Sequence, residues 1–596
     1  MMTNFSSNQP SVNNQDCRHP SYPNKKWATE NLERSPLSII SEEMYPELAY
    51  DFEPKTHGSA RFMKMDEIIR MGLNLPGKNA KIALFIGVLK CEYNKYPDIR
   101  IYARSPSSKV NPQNEDLPEG NGHGLIAAPT RAGKGVGYII PNAFYWLGSV
   151  LFIDVKGEIY FHTAGYRATK LKQNVFRIAP FENESDVWNP IMSIRGNLIG
   201  SEPTSEQRCQ EEEDAEYLAN LCIKPSDSSS DIFWENSARN FLVGLLLHVR
   251  TDEIPSDMGN EIETVFGHRV CERSMREVGR LLNLGVEAFA SLLGDMCESE
   301  KTLIRQAGNL LARVLTGEGK TGNGIISMLS EQINVWSNEL VHKATYKASA
   351  DPDDREPAPN DFSFSQMRDG KTSIYLIIPP ESLKKYSSVL RVMVGFAMRD
   401  LKDSYTTSKK DPGFQDKPPV LFILDEFPQL GYMKPIENAL SYIAGYGVRL
   451  WFFIQDLSQL KKNYNKSWPT FLANTEFKSF FGVNDIDTAN HVSEMIGTAT
   501  VDDSNSTNAS SFSATKGYQY GNHSSYSENR SSNSSSTSSH TARRLMTPDE
   551  IMRMPQDKQL FFIRGLSPIF CDLVKYYEDE ELLAYSKIPP PKDINF

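Results

Sequence analysis

Residues 124–137 read GLIAAPTRAGKGVG and carry the strongest signal in the chain. The stretch begins with a short apolar run, which is typical of a buried strand, and a helix is predicted to begin near Val136. Between them lies a glycine-bearing loop that includes Lys134. A strand, such a loop and a helix in this order form a phosphate-binding loop, because backbone N–H groups and the helix N-terminus together attract an anion. The sequence therefore predicts a nucleotide-binding α/β domain.

The predicted nucleotide contacts come from consecutive residues of this loop. Lys134 is expected to place positive charge on the β- and γ-phosphates, and the backbone amides are expected to cradle them. The loop is atypical at two positions, since Ala128 stands where Gly is usual and Gly135 where a Ser or Thr hydroxyl usually contacts Mg²⁺. A glycine-rich turn of an unrelated α/β protein is the alternative. The expected contact residues are Ala128, Pro129, Thr130, Arg131, Ala132, Gly133, Lys134, Gly135 and Val136.

An acidic pair follows a second apolar run, far downstream. Residues 420–424 read VLFIL, which is typical of a strand buried on both faces of a parallel sheet, and Asp425 and Glu426 come directly after it. Acids at the carboxyl end of such a strand lie where open α/β sheets bind ligands. We expect Asp425 to hold Mg²⁺ and Glu426 to orient or deprotonate the attacking water. A strand end with two solvated acids is the alternative.

Two further strand ends fit the same sheet. One is residues 149–154, which lead into Val155-Lys156-Gly157-Glu158, and the other is residues 449–454, which lead into Gln455. A neutral amide can hydrogen-bond either a phosphate or the attacking water, so Gln455 is a candidate sensor of the γ-phosphate. An ordinary polar cap on the strand is the alternative for Gln455. Asp154 and Lys156 are candidates for a local ion pair.

Composition bounds the class of protein. The chain has 596 residues, enough for more than one domain, and 39% hydrophobic and 23% charged residues are ordinary for a globular protein. The net charge of −11 excludes a uniformly basic nucleic-acid coat, although a few local lysines suffice to contact DNA in a ring's channel. The seven Cys form no C-x-x-C pair, so free thiols in a reducing compartment are expected.

The chain divides into five predicted segments. Polar, Asn-, Ser- and Pro-rich composition predicts disorder at the start, and apolar residues at helical spacing predict a helical segment in the middle. A Ser-, Asn- and Thr-rich stretch, residues 502–541, is expected to be a disordered surface loop, because it has little to bury. The segments are a flexible arm (1–60), a mixed segment (61–120), a first motor part (121–196), an all-α domain (197–350) and a second motor part (351–596).

Seven ordered blocks carry a resemblance to a known family. They are Ala127–Gly137, Asp154–Glu158, Phe233-Trp234 with Ser237–Asn240, Leu424–Phe427, Gln455–Leu460, Phe480–Asp485 and Leu545–Glu550. Together they resemble the VirD4/TraG-type coupling proteins of bacterial type IV secretion and conjugation systems, over roughly residues 120–580. The Gly that follows Lys134 matches the family's own loop, so the missing hydroxyl is a trait of the family.

The resemblance implies a fold, an activity and partners. It implies a RecA-like P-loop NTPase motor with an inserted all-α domain, which hydrolyses ATP with Mg²⁺ as a homo-hexamer. It implies that the ring brings a relaxase–DNA complex or a secreted protein to the components of a type IV secretion channel, contacting DNA without sequence specificity. In a ring of this kind a neighbouring subunit usually supplies an arginine, for which Arg449 is a candidate; surface solvation is the alternative for that residue.

Membrane attachment is where the chain departs from the family pattern. Relatives usually begin with transmembrane helices, and a spanning helix needs about 20 mostly apolar residues. The best candidate, Lys81–Lys90, is far too short, and no signal peptide is recognisable. The expectation is therefore a cytoplasmic protein that is peripheral at the inner membrane and reaches it only through a partner.

Two other functions stay open at this point. One is a non-hydrolysing adaptor that recruits substrates to a secretion apparatus, which the missing anchor and Gly135 favour and the intact Asp425-Glu426 pair opposes. The other is an FtsK-like DNA translocase that works away from any channel. The helical insertion and the Phe480–Asp485 block are more typical of coupling proteins.

Overall fold

The computed structural model describes most of the chain from residue 121 onward. The described residues are 58–64, 67–68, 73, 84–89, 99–103, 121–182, 184–196, 204–224, 232–252, 267–316, 319–351, 356–410, 417–518 and 524–591. The predicted flexible arm at 1–60, apart from residues 58–60, and most of the mixed segment at 61–120 lie outside them.

The described residues contain thirteen strands, eleven of which form one mixed sheet. The strands are β1 (Leu84–Leu89), β2 (Ile99–Ala103), β3 (Gly124–Ala127), β4 (Val150–Asp154), β5 (Asn174–Ile178), β6 (Thr372–Ile377), β7 (Val420–Leu424), β8 (Val448–Ile454), β9 (Phe477–Phe480), β10 (Thr498–Tyr518), β11 (Ser524–Arg544), β12 (Lys558–Ile563) and β13 (Ile569–Asp572).

The order of the large sheet is β2-β1-β13-β12-β9-β3-β8-β7-β4-β6-β5. Neighbouring strands from β9 to β5 run parallel, and β12, β13, β1 and β2 extend the sheet with antiparallel pairs. Strands β3, β4, β6 and β7 are buried at every residue, as their continuous apolar runs predict for strands covered by helices on both faces. Because parallel strands all end at the same edge, their carboxyl ends converge there.

Helices connect and cover these strands. They are α1 (Ile140–Tyr145), α2 (Glu158–Thr169), α3 (Ser205–Cys222), α4 (Ile232–Thr251), α5 (Met275–Leu282), α6 (Val286–Glu298), α7 (Thr302–Thr316), α8 (Gly319–Ile333), α9 (Glu339–Thr345), α10 (Pro380–Leu383), α11 (Ser387–Ser408), α12 (Lys434–Ala439), α13 (Leu457–Tyr464), α14 (Pro469–Asn474), α15 (Ile486–Ile496), α16 (Pro548–Met552) and α17 (Glu580–Ser586). A π-helical turn, Gly135–Ile139, leads directly into α1.

The described part of the segment predicted to be all-α contains helices and no strand between residues 204 and 345. Helix α3 begins with a capping box, in which the Thr204 hydroxyl accepts from the Gln207 N–H and the Gln207 side chain accepts from the Thr204 N–H. Asp214 of α3 is 1% exposed and binds Arg195 and Arg399 at 2.8 Å each. Because Arg399 belongs to α11, this buried cluster ties the helical segment to the sheet-covering helices.

The Ser-rich stretch differs from the loop expected there. Strands β10 and β11 pair one to one in an antiparallel ribbon, from Thr498↔Arg544 to Tyr518↔Ser524. Composition predicted disorder because few side chains there can be buried, but a ribbon is held by backbone N–H and C=O groups that every residue of this stretch provides. The base of the ribbon is tied to the chain near Gly58, whose carbonyl accepts from the Thr500 N–H at 3.1 Å.

The described residues contain neither a membrane-spanning helix nor a disulfide. None of their helices is both long and apolar enough to cross a bilayer. The cysteines in these segments, Cys209, Cys222, Cys271, Cys297 and Cys571, are all free thiols, as the spacing predicted.

Candidate nucleotide site

The predicted site residues converge at the carboxyl edge of four adjacent strands. In the order β3-β8-β7-β4, each strand is followed at this edge by a turn that carries a predicted polar group. These groups are Lys134 after β3, Gln455 after β8, Asp425 with Glu426 after β7, and Lys156 after β4. The strand order places β8 between the phosphate-binding loop and the acidic pair, so Gln455 lies between the two.

The backbone of the loop after β3 has the conformation of a phosphate cradle. Arg131 and Gly133 have φ of 66° and 104°, and positive φ values of this kind occur in the backbone concavities that bind anions. Thr130 and Arg131 are exposed at the tip of the loop. A Cβ placed on Gly135 would meet no atom within 4 Å, so the space beside the first helical turn is open at the position where a hydroxyl is usual.

Residues from distant parts of the chain support this loop from behind. A Cβ on Gly137 would meet the Leu573 side chain at 2.8 Å, and a Cβ on Gly482, whose φ is 60°, would meet Ala132 at 3.1 Å. Leu573 follows β13 and is 2% exposed. The sequence did not point to Leu573; an apolar residue just after a short strand was the only signal. Gly482, which supports the loop in this way, belongs to the Phe480–Asp485 block.

Lys134 is held by the loop itself. Its Nζ donates to the carbonyl oxygens of Ala128 at 2.6 Å and Pro129 at 3.4 Å, and lies 3.8 Å from Glu426 Oε1. The side chain is 8% exposed, and this burial lowers the pKa of the Lys134 ammonium, while the carboxylates of Glu426 and Asp425 oppose that shift. The ammonium therefore sits in a partly dehydrated position, directed at the acidic pair.

The acidic pair is positioned by backbone strain and by Gln455. Glu426 has φ of 47°, in the left-handed region that a residue with a Cβ rarely adopts, and its N–H donates to Asp425 Oδ1 at 3.0 Å. Gln455 Nε2 donates to Glu426 Oε2 at 3.0 Å. Burial raises the pKa of Asp425 to about 7, and the Glu426 carboxylate adds to the shift while Lys134 opposes it. The site thus holds two acids close together beside one cation.

The turn after β4 is built differently from the predicted ion pair. The Asp154 carboxylate accepts from the backbone N–H groups of Lys156 at 3.3 Å and Tyr160 at 2.8 Å. It is 1% exposed, and burial raises its pKa to about 6. Asp154 therefore caps the start of α2, and its contact with Lys156 is made through the amide of that residue. The signal in the sequence was an acid at the end of a buried strand, followed by Gly157 and a helix.

Arg449 is the predicted site residue that the structure does not bring to this edge. It lies near the amino end of β8, whereas Gln455 follows the carboxyl end. Six residue steps of extended chain separate them by about 20 Å. Its Nη1 donates to the Ala444 carbonyl at 3.1 Å. A role for Arg449 would therefore have to be played in the site of another subunit, and it stays a prediction.

A family model matches most of the chain. The model for the type IV secretory system conjugative DNA transfer family matches residues 94–592. The match includes every strand and loop that contributes to the edge described above.

Individual relatives extend the similarity to named proteins. The chain is 26% identical over 557 residues to the conjugal transfer protein TraG of Escherichia coli, covering 90% of this chain and 79% of that protein. It is 27% identical over 471 residues to the protein VirD4 of Rhizobium radiobacter, covering 77% of this chain and 58% of VirD4. The resemblance read from the ordered blocks is confirmed.

Solved structures show the same fold at low identity. The bacterial conjugative coupling protein TrwBdeltaN70, in its unbound monoclinic form, superposes with a TM-score of 0.50 at 13% identity, covering 76% of this chain and 84% of that one. A trigonal form of the same protein in complex with sulphate gives a TM-score of 0.50 at 14% identity. The fold class predicted from the sequence is therefore confirmed.

Proposed function

The chain belongs to the conjugative DNA transfer family of type IV secretory systems, and from that membership we propose that it is an ATPase coupling protein. On this proposal a homo-hexameric ring recruits a relaxase–DNA complex, or a secreted protein, to the components of a type IV secretion channel. It drives conjugative DNA transfer by ATP hydrolysis and contacts DNA through the backbone, without sequence specificity. The ring acts at the cytoplasmic face of the inner membrane.

The observation that carries the enzymatic part is the juxtaposition of Lys134, Glu426 and Gln455. Lys134 Nζ lies 3.8 Å from Glu426 Oε1, and Gln455 Nε2 donates to Glu426 Oε2 at 3.0 Å. A phosphate-binding cation, a general base and an amide that can sense a phosphate are the groups that phosphoryl transfer to water requires. A recruitment adaptor would need none of them in contact, so the cluster favours hydrolysis over the adaptor function.

The residues at the edge fit ATP and Mg²⁺. Two residues of the loop have the positive φ values typical of anion-binding backbone, and the open space beside Gly135 leaves room for a hydrated cation where a hydroxyl would otherwise be placed. Asp425 offers the carboxylate oxygens that Mg²⁺ prefers. A bound Mg²⁺ neutralises phosphate charge that develops during transfer.

Each residue then has a distinct role in the proposed reaction. The loop amides and Lys134 hold the phosphates, and Asp425 holds Mg²⁺. Glu426 accepts the proton of the attacking water, whose oxygen bonds to the terminal phosphorus as the bond to the leaving phosphate oxygen breaks. Gln455 donates to Glu426 and borders the space between the loop and the acidic pair. Loss of the terminal phosphate then changes the hydrogen bonds of Gln455, and β8, which ends at Gln455, transmits that change.

Removing the Lys134 charge tests the proposal. We expect Lys134→Ala to keep its melting temperature and ring assembly, but to lose binding of a fluorescent ATP analogue and ATP turnover, because the cation on the phosphates is gone. Lys170→Ala, which removes an exposed lysine after α2, is the matched control and should leave both unchanged. Turnover by Lys134→Ala at the wild-type rate would contradict the assignment.

A further inference from the structure

The turn after β4 carries a cation, Lys156, at the same edge of the sheet as the proposed nucleotide site. Asp154, buried at the end of β4, accepts from the N–H groups of Lys156 and Tyr160, and Gly157 has φ of 72°, which lets α2 begin at once. These contacts determine where the backbone of Lys156 lies. Its side chain is exposed, and among the described residues no carboxylate lies within ion-pair distance of its ammonium.

The position of this turn relative to the acidic pair follows from strand register. Strands β4 and β7 pair in parallel with Ile153 opposite Leu424, so the turns that follow them begin at the same level. The electrostatics agree, since the Lys156 charge contributes to the lowered pKa of Lys134 and the Asp154 charge to the raised pKa of Asp425. The two turns are therefore close enough for their charges to act on each other.

The Lys156 side chain also has room to move. It is exposed to solvent, and it borders an open cavity of about 370 Å³ that extends away from β7, toward Ile377 at the end of β6 and Arg177 near the end of β5. Because β7 lies between β8 and β4, a side chain that reaches in from β4 arrives on the side of the acidic pair. The loop amides that cradle the inner phosphates lie on the other side, after β3.

We propose that Lys156 is a second phosphate-binding cation that contacts the terminal phosphate of ATP. This inference rests on the proposed function and adds a residue to it. The edge gathers the carboxylates of Asp154, Asp425 and Glu426 around a single buried lysine, and a terminal phosphate brings further negative charge there. A second ammonium from β4 offsets that charge, and because it approaches from the acidic side it acts on the phosphate that ADP lacks. Lys156 thereby makes the site prefer ATP over ADP.

Binding of two nucleotides tests this role. Affinities of the full-length protein for a non-hydrolysable fluorescent ATP analogue and for the matching ADP derivative are measured for wild type, Lys156→Ala, Lys156→Arg and Lys170→Ala. We expect Lys156→Ala to bind the triphosphate about tenfold more weakly, the effect of losing one charge-assisted contact, and ADP within about twofold of wild type. Lys156→Arg should keep most of the preference because it keeps the charge, and Lys170→Ala should be unchanged.

Each other outcome has a definite meaning. Two results in Lys156→Ala would overturn the inference: unchanged affinity for both nucleotides, or equal weakening of both. Either result would show that Lys156 makes no contact specific to the terminal phosphate. Failure of the proposed function is a separate result: wild type would then bind neither nucleotide, or Lys134→Ala would bind both normally. Melting curves of the variants, expected to match wild type, exclude loss of fold as the cause of weaker binding.

Discussion

Replacing Asp425 by Asn is expected to stabilise the nucleotide-free protein at pH 8 while abolishing turnover. Burial raises the pKa of this carboxyl from 3.8 to about 7, so its charged form is disfavoured in the folded state. In the unfolded chain the carboxyl ionises near its ordinary pKa of about 3.9. Between these two values the folded state binds the extra proton, and the stability contributed by this group falls as pH rises until the folded carboxyl also ionises near pH 7.

The size of the gain follows from the shift. About three pKa units at about 1.4 kcal/mol each give an upper limit of about 4 kcal/mol at pH 8. Partial access of the side chain to water reduces this, and we expect Asp425→Asn to gain about 1–3 kcal/mol at pH 8. The gain should be smaller at pH 5, where the folded carboxyl of the wild type is still protonated. Other titratable groups are the same in the wild type and in Asp425→Asn, so their contributions to the pH dependence of the free energy of unfolding cancel in the difference.

Chemical denaturation at pH 5 and pH 8, followed by tryptophan fluorescence, measures this gain. Trp451 in β8 is 1% exposed and reports on the sheet. The matched variant is Asp154→Asn, whose carboxyl is also buried with a raised pKa but accepts two backbone N–H groups. It should gain nothing or lose about 1 kcal/mol, because the cap is weakened. A loss of stability in Asp425→Asn at pH 8, or a gain that does not depend on pH, would refute the reasoning.

Two further predictions concern packing and the joint between the helical segment and the sheet. Gly137→Ala should lower the free energy of unfolding by about 1–3 kcal/mol, because its Cβ would meet Leu573 at 2.8 Å. Gly135→Ala meets nothing within 4 Å and should leave the free energy of unfolding unchanged or raise it. Equal denaturation midpoints for the two variants would contradict the close contact at Gly137. Asp214→Asn should lower the free energy of unfolding by about 3–5 kcal/mol, because Arg195 and Arg399 lose a buried partner. Asp403→Asn, at a site 33% exposed, should lower it by less than about 1 kcal/mol. Similar losses from these two, measured by denaturation, would show that the cluster is solvated.

The sequence predicts the central strands of the sheet because burial on both faces leaves an unbroken apolar run. Strands β4, β6, β7 and β8 each contain such a run, and each lies where its run predicts. Strands β1, β2 and β13 extend the sheet with short antiparallel pairs, and such short segments have no distinctive period. The β10–β11 ribbon was missed for a different reason, since backbone pairing leaves no trace in side-chain composition.

The sequence predicted where the candidate site residues lie one by one, but not the contacts between them. Polar residues at strand ends pointed to Lys134, Asp425, Glu426 and Gln455 individually. The hydrogen bond from Gln455 to Glu426 depends on β8 lying between β3 and β7, and strand order is not encoded in any local stretch. Arg449 illustrates the same limit, because its place at the far end of β8 follows from the direction of the strand.

The most direct test of the proposed ATPase is hydrolysis by the purified wild type and Glu426→Gln, each with and without single-stranded and double-stranded DNA. Glu494→Gln, a change at a carboxylate that is 66% exposed on α15, is the control. The account predicts turnover that DNA stimulates in the wild type and the control and that is lost in Glu426→Gln, with nucleotide binding retained, because only the base for the attacking water is removed. Turnover in Glu426→Gln equal to that of the wild type, or none in an assembled wild type with DNA present, would contradict it.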